Sequence, residues 1–424
     1  MATIAPATAE DCLQLAEIQF DAFEPSIIHQ RIFGNVSKDN HSKHLAERFK
    51  KAIEKEGSEV FKGVIKDEEG KEKIVGLAFW DRPKMKGEKD EEEKEDEGKT
   101  EEEKRAAMEK RFPEGTDYDL AISYFGRLDP KVDEPFYHLH LLAIDPSIQR
   151  TGAGTALLKW GCKEADMEGV ASYLEASDVG VGLYRRYGYD KFAEPIVGGK
   201  DNDLILYPMR RPPVELRTFR RSDFPALCQI YYEAFEPTTI WKYNFSNVTR
   251  QASDKCFKRR LEDWFDEVDG DGKTSEEKME VIVAVRGEKV LGFSVWEKNA
   301  VKSERKEKEQ SSQPFPEGSN VERAKEYLGM IKAACEIENK HWYLGLLAIL
   351  PEAQGGGIGR LLTQWGIEKA REVKADVVLG STEFGKPLYE RLGFVDFAEP
   401  VKAPEDPSVV NWPMVLSYEK QNES

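Results

Sequence analysis

A block of 72 residues, positions 138 to 209, recurs without a gap at 343 to 414, displaced by 205 residues and sharing 26 identities with the first copy. Such a chain is expected to fold as two copies of one domain. The length of 424 residues gives each copy room for a core of its own. The expected boundary divides the chain into domains 1–211 and 212–424, joined at the run from Arg210 to Pro213. In the first copy the best-matched stretch reads His138, Leu139, His140, Leu141, Leu142, Ala143, Ile144, then Asp145 and Pro146, then Gln149, Arg150, Thr151, Gly152, Ala153, Gly154, Thr155. Its counterpart reads Tyr343, Leu344, Gly345, Leu346, Leu347, Ala348, Ile349, Leu350, Pro351, then Gln354, Gly355, Gly356, Gly357, Ile358, Gly359, Arg360. An apolar strand, a short turn and a Gln-x-x-Gly-x-Gly loop opening a helix form a pattern suited to pyrophosphate, because free backbone amides point at the ligand and no Cβ stands in the way.

Two other glycine loops can be compared with this pattern. A dinucleotide fold needs a third glycine, where this chain has Leu157 and Leu362. It also needs a ribose-binding acid, for which Glu175 stands in one copy but Gly380 in the other. A phosphate loop of the Walker type needs Gly-Lys-Ser/Thr, which does not follow here.

Around this motif the copies run in parallel. Thr8 and Ser222 are placed to cap an amphipathic first helix, which ends alike in Ala22-Phe-Glu-Pro and Ala234-Phe-Glu-Pro. Charged helices are expected over 42–56 and 250–268, then paired strands ending at Trp80 and Trp296. Residues 84 to 104 carry eleven acids and six lysines with almost nothing apolar, and a disordered insertion is expected there. Helix glycines at Gly161 and Gly366 each follow a tryptophan, which suggests close packing against the sheet.

Bulk composition narrows the function. The net charge of −17 disfavours a nucleic-acid partner and favours a cationic small substrate. Five cysteines without close spacing suggest neither a disulfide framework nor a zinc site, so no metal is expected. No apolar run reaches 18 residues and no signal-like segment follows Met1; the expectation is a cytoplasmic protein without a membrane partner.

The order of apolar strand, Gln-x-x-Gly-x-Gly, helix, strand and a Tyr-x-x-x-Gly-aromatic element, here Tyr184 to Tyr189 and Tyr389 to Phe394, resembles the GNAT superfamily of acyl-CoA-dependent N-acyltransferases. The resemblance implies a tandem mixed α/β fold, each half a mixed central sheet flanked by helices. It implies that acetyl-CoA is the cosubstrate, with its pyrophosphate cradled by amides across Gln149 to Thr155 and Gln354 to Arg360. Leu142, Ala143 and Ile144, and likewise Leu347, Ala348 and Ile349, are implied to pair with pantetheine. Acceptor contacts are implied around Phe23, Glu24 and Pro25 and around Tyr124 and Phe125. Tandem relatives include mycothiol synthases and N-myristoyltransferases, which leaves acyl chain length open.

Transfer from a thioester to an amine needs a base for the amine and an acid for the departing thiolate. His138 and His140 lie two apart on one strand, immediately before the glycine loop, and with an ordinary pKa of about 6.5 either can take a proton near neutrality. The His-x-His followed by Leu-Leu-Ala-Ile resembles the arylalkylamine N-acetyltransferase branch, which implies His138 and His140 as proton acceptors and Tyr184 as the acid. Copy two keeps Tyr389 but has Tyr343 and Gly345 in place of the histidines. The expected function is acetylation of a small-molecule primary amine by direct attack in a ternary complex. Its alternatives are acetylation of a protein or peptide, or CoA binding without turnover.

Overall fold

The computed structural model describes residues 2–66, 70–83, 100–125, 134–199, 202–269, 279–300 and 315–422. It divides into two compact units, Met1–Pro213 and Val214–Ser424. Of the Arg210–Pro213 junction, the two arginines belong to the last strand of the first unit, Leu204–Arg211. Arg211 is held there by a buried ion pair with Asp166, at 2.6 Å and 2.7 Å.

In the first unit, strands β1 (Thr3–Pro6), β2 (Ser58–Lys66), β3 (Glu72–Asp81), β4 (Phe136–Ile144), β5 (Ala171–Ala176), β6 (Asp190–Lys191), β7 (Ile196–Gly198) and β8 (Leu204–Arg211) form one sheet, ordered β1-β2-β3-β4-β5-β8-β6 with β7 also on β8. The second unit repeats it with β9 (Glu215–Thr218), β10 (Met279–Arg286), β11 (Lys289–Ala300), β12 (His341–Ile349), β13 (Asp376–Ser381), β14 (Val395–Asp396), β15 (Val401–Lys402) and β16 (Val410–Leu416), ordered β9-β10-β11-β12-β13-β16-β14 with β15 on β16. In each sheet the central β4–β5 or β12–β13 pair is parallel and its neighbours are antiparallel. These are two mixed α/β domains of the same topology, as the duplication implies.

In the first unit, helices α1 (Cys12–Phe23), α2 (Ile27–Phe33) and α3 (Lys38–Glu54) open the domain. Next come α4 (Glu101–Glu109) and α5 (Tyr118–Phe125), then α6 (Ala153–Glu168) after the glycine loop and α7 (Asp178–Arg186). The second unit has α8 (Phe224–Phe235), α9 (Thr239–Phe245), α10 (Arg250–Asp269), α11 (Val321–Ala334), α12 (Ile358–Glu372) and α13 (Lys386–Arg391).

Several local expectations change. Thr8 and Ser222 do not cap the first helices. Asp11 and Asp223 take over the turns instead, accepting from the Thr8 and Arg220 amides at 2.8 Å and 2.7 Å. A carboxylate outcompetes a hydroxyl as an acceptor, and each is further fixed by a cation, Lys62 at 2.7 Å and Arg217 at 2.7 Å. Helix α3 begins at Lys38, not at residue 42, because the Ser37 hydroxyl accepts the Asn40 amide. The expected disordered stretch falls mostly outside the described residues, at 84–99, but its last part is helical within α4. Tyr124, considered for the acceptor, is fully buried with Ile32, Ala121 and Leu204 and is core.

The remaining histidines are structural. His29 and His41 lie with ring centroids 5.1 Å apart among Phe20 and Phe33, and burial, with the nearby charges of His29, His44 and Arg48, pushes His41 down to about 4. The His44 Nε2 meets the Arg111 carbonyl at 2.8 Å, and the His341 Nδ1 meets the Asn339 carbonyl at 2.7 Å.

Each helix after the glycine loop presses on a fully buried tryptophan. A Cβ on Gly161 would lie 2.5 Å from the Trp80 ring, and one on Gly366 would lie 2.1 Å from the Trp296 ring. The pair of substitutions Gly161→Ala and Gly329→Ala therefore separates packing from propensity. Gly161→Ala is expected to cost about 1–3 kcal/mol by overpacking. Gly329, in the interior of α11, has open space around it, and there alanine should add stability of up to about 1 kcal/mol. Urea unfolding of the two variants against the parent chain checks the opposite signs.

Candidate active site

Strand β4 pairs with β3 in register until Leu139 meets Trp80; the next pair is Leu141 with Phe79, so His140 is an extra residue. In the second unit Leu344 meets Trp296 and Leu346 meets Val295, which leaves Gly345 as the extra residue. Such a bulge reverses the alternation of side chains downstream. Before it Tyr137 and Leu139 pack toward α6; after it Leu142 and Ile144 do, while Leu141 and Ala143 face α1 and α3. The bulge also marks a fork between the parallel strands. The β4–β5 ladder runs from Phe136–Ala171 to Leu139–Leu174 and stops, and the β12–β13 ladder stops at Leu344–Leu379. Beyond the fork, Leu142 to Ile144 and Leu347 to Ile349 present one backbone edge to the crevice.

The glycine loop closes that crevice. Asp145 accepts the Ser147 amide at 2.9 Å and holds the single turn Pro146–Ile148, after which Gln149 is extended. In the second copy the Gln354 side-chain Nε2 donates to the Ile349 carbonyl at 3.1 Å, tying the loop to the strand end. Arg150 and Gly355, at equivalent positions, both adopt positive φ, at 66° and 77°. Gly152 and Gly357 then precede their helices at φ of 91° and 90°. The first intrahelical bonds are made by the amides of Ala156 and Leu361, each at 3.0 Å. The amides of Ala153, Gly154 and Thr155, and of Ile358, Gly359 and Arg360, thus have no acceptor within their own helices and sit at the positive end of the dipole. This donor set suits a pyrophosphate.

The bulge brings together the two histidines the sequence singles out, with ring centroids 4.0 Å apart. Each meets a carboxylate that sequence reading did not assign to it. The His138 Nε2 lies 3.0 Å from the Glu175 Oε2, and the His140 Nε2 lies 2.9 Å from the Asp81 Oδ2. Asp81 is on the neighbouring strand, and Glu175 is near the end of β5, beside the fork. No spacing rule connects residues 59 or 37 positions apart; only the strand register does. His138 is buried, whereas 36% of the His140 side chain is open to solvent although protein surrounds it densely, as for a group lining a recess. Burial and the neighbouring His138 push the His140 pKa below its usual value, outweighing the upward pull of Asp81 and Glu175. Burial also acts to raise Asp81, but the hydrogen bonds and charge of His140, together with the Ser58 hydroxyl, bring it to about 2.

Tyr184 packs edge-on to Tyr189 at 5.9 Å, and Tyr389 stands in the same relation to Phe394 at 5.7 Å. Burial raises both phenols far above their usual value, so each keeps its proton at neutral pH. Among the described hydrogen bonds none joins Tyr184 to either histidine. The second unit has Tyr343 and Gly345 where the histidines stand, Gly380 in place of Glu175, and Glu297 facing Tyr343 across the ladder as Asp81 faces His138. Among the described residues no cluster of three or more His, Cys, Asp or Glu side chains is arranged to hold a metal.

The model of the acetyltransferase (GNAT) domain matches residues 92–211 and again 281–414. The chain belongs to the GNAT acetyltransferase family. It is a tandem N-acetyltransferase of the class that uses acetyl-CoA, with one GNAT domain in each unit. Similar solved structures include a Corynebacterium glutamicum histone acetyltransferase HPA2 and related acetyltransferase, 26% identical over 50% of this chain and 96% of that one, with a TM-score of 0.31. A Brucella melitensis ribosomal-protein-alanine N-acetyltransferase is 21% identical over 47% and 97%, with a TM-score of 0.29. A Thermoplasma acidophilum PaiA N-acetyltransferase in complex with coenzyme A is 13% identical over 48% and 99%, with a TM-score of 0.29. No curated protein gives a match.

The glycines of the two GNAT loops allow a direct test. Nothing lies within 4 Å of a Cβ placed on Gly152, so valine there acts through its backbone conformation and not through a clash. Forcing a β-branched residue to positive φ costs on the order of 1–3 kcal/mol, or re-forms the loop. Gly152→Val and Gly357→Val should each weaken acetyl-CoA binding roughly tenfold or more at their own site. Isothermal titration calorimetry of the folded variants reads this.

Proposed function

We propose that the first GNAT domain acetylates the primary amine of a small molecule by direct attack in a ternary complex, and that its chemistry is closest to the arylalkylamine branch. The observation that carries this reading is the histidine pair at the fork, each ring held by a carboxylate, in the first unit alone. Acetyl-CoA supplies the acetyl thioester. The loop amides from Gln149 to Thr155 and from Gln354 to Arg360 fit its pyrophosphate, and the crevice edges at Leu142–Ile144 and Leu347–Ile349 fit its pantetheine arm.

The carboxylates and the net charge of −17 favour approach of a cationic amine. His140, neutral at pH 7, takes the proton from the ammonium, directly or through a water. The freed nitrogen can then attack the carbonyl carbon as the C–S bond breaks. Tyr184, which keeps its proton at neutral pH, gives it to the departing sulfur and is reprotonated by the second proton that the acylated nitrogen sheds. The second domain keeps the cradle and Tyr389 without the histidines, which favours a role in holding CoA. None of the five cysteines is in a disulfide and four of them are buried, in keeping with a reducing, cytoplasmic setting. No helix among the described residues is long and apolar enough to cross a membrane.

The test combines an amine panel, including peptides with free N-termini, with a thiol-release assay. Arylalkyl or other small amines should turn over in preference to peptides. Because the His140 pKa is held below its ordinary value and only the neutral ring accepts a proton, kcat/KM should stay level at neutral pH. It should fall only as pH drops below about 6.5. Replacing both His138 and His140 by glutamine should remove that acidic limb and lower kcat/KM while acetyl-CoA still binds. Tyr184→Phe should lower kcat by about 10² or more, and Tyr389→Phe should leave most turnover in place. A fully active histidine double mutant, or loss of turnover in Tyr389→Phe alone, would move the chemistry to the second domain.

A further inference from the structure

Nothing in the acyl-transfer reaction by itself requires the two carboxylates that meet the histidine pair. We propose that Asp81 and Glu175 are positioning residues that fix both imidazoles as the Nε2–H tautomer, so that Nδ1 of His140 is the proton acceptor. This rests on the reading of His140 as the base.

An ionised carboxylate can only accept a hydrogen bond, so the nitrogen facing it at 2.9 Å or 3.0 Å must carry the hydrogen. In the neutral tautomer of either ring, that leaves the lone pair on Nδ1. Asp81 is itself fixed: its Oδ1 accepts the Ser58 hydroxyl at 2.7 Å while its Oδ2 faces His140. It is therefore a rigid anchor and not a passing surface contact.

The charged and titratable groups acting on His140 are His138, Asp81 and Glu175, with Lys55 acting on Asp81. His138 opposes a charge on its neighbour and the carboxylates favour it. When Nδ1 takes the amine proton, the imidazolium that forms is balanced by Asp81, and no proton needs to pass to the carboxylate, which is far too weak a base to keep one. Glu175, facing the His138 Nε2 at 3.0 Å, fixes the orientation of the second ring. In the second unit Tyr343, Gly345 and Gly380 stand in place of His138, His140 and Glu175, and Glu297 stands where Asp81 does, so one carboxylate is kept there without either imidazole.

The test uses the full chain with ¹⁵N-labelled histidine, and Asp81→Asn, Asp81→Glu, Glu175→Gln and His140→Gln. Acetyl-CoA titration first shows that each variant keeps its cofactor cradle. In the parent chain the His140 nitrogen shifts should report the Nε2–H tautomer. Asp81→Asn, whose amide can donate as well as accept, should populate the Nδ1–H form, lower kcat/KM by about 10² with little change in acetyl-CoA KM, and move the acidic limb to lower pH because an upward pull on the ring is lost. Asp81→Glu should restore both the tautomer and part of the rate. Glu175→Gln should shift the His138 tautomer and lower kcat/KM by a smaller factor.

An Asp81→Asn protein with the parent tautomer, the parent pH limb and kcat/KM within about twofold of the parent would overturn the proposal, provided His140→Gln is inactive. An active His140→Gln would instead remove the base itself, a separate failure that the tautomer measurement on the parent chain does not share.

Discussion

The fork between the two parallel central strands governs everything functional in this chain, and it follows from one extra residue in β4 and one in β12. A regular strand at these places would stay paired with its neighbour along its length, leaving no crevice and no free backbone edge. With the bulge at His140 or Gly345, the parallel ladder stops after Leu139 or Leu344, and the side-chain alternation reverses. The reversal lets one strand serve two cores, with Leu139 and Leu142 both turned toward α6 although they are an odd number of residues apart. The glycine loop follows at the end of the freed edge, so the open edge and the loop are placed next to each other by a single irregularity.

The bulge also shapes the histidine cluster of the first unit. It places two imidazoles 4.0 Å apart, a separation at which a charge on one opposes a charge on the other. Burial and the neighbouring ring favour the neutral form of His140, yet Asp81 is within reach to balance a transient proton there. Holding a base neutral while stabilising its protonated form needs opposing influences of comparable size. The His140 environment supplies both, with the downward push of burial and His138 set against the upward pull of Asp81.

The two copies differ at the imidazole–carboxylate cluster and agree where the fold is held. The Trp80–Gly161 and Trp296–Gly366 contacts and the positive φ of Gly152 and Gly357 recur in both. Those positions answer to packing density and backbone conformation, which any copy of the fold must satisfy. His138, His140 and Glu175 have no counterpart in the second copy, where Tyr343, Gly345 and Gly380 stand. Arg150 is an intermediate case: it holds the left-handed conformation that Gly355 adopts freely, so the loop geometry persists where the residue best suited to it does not.

Much of this was legible from residue order. The duplication, the strand–loop–helix unit, the phosphate-type cradle and the histidine pair are all local patterns, read from periodicities of two and of 3.6 and from glycines at fixed spacing. The tight packing at Gly161 and Gly366 was readable for the same reason, since a glycine inside a helix is costly unless something fills the space of its Cβ. What residue order did not reveal depends on contacts between distant segments. Asp81 and Glu175 reach the histidines through strand register, which a sequence does not display. Asp11 and Asp223 displaced Thr8 and Ser222 at the first helices because a cation from elsewhere, Lys62, or from the preceding strand, Arg217, fixes each carboxylate. Tyr124 became core because Ile32 and Leu204, far from it in sequence, close over it. Local chemistry thus determined the elements and the candidate groups, while the tertiary structure decided protonation and partnership, because both depend on which charges and surfaces the folded chain brings within a few ångströms.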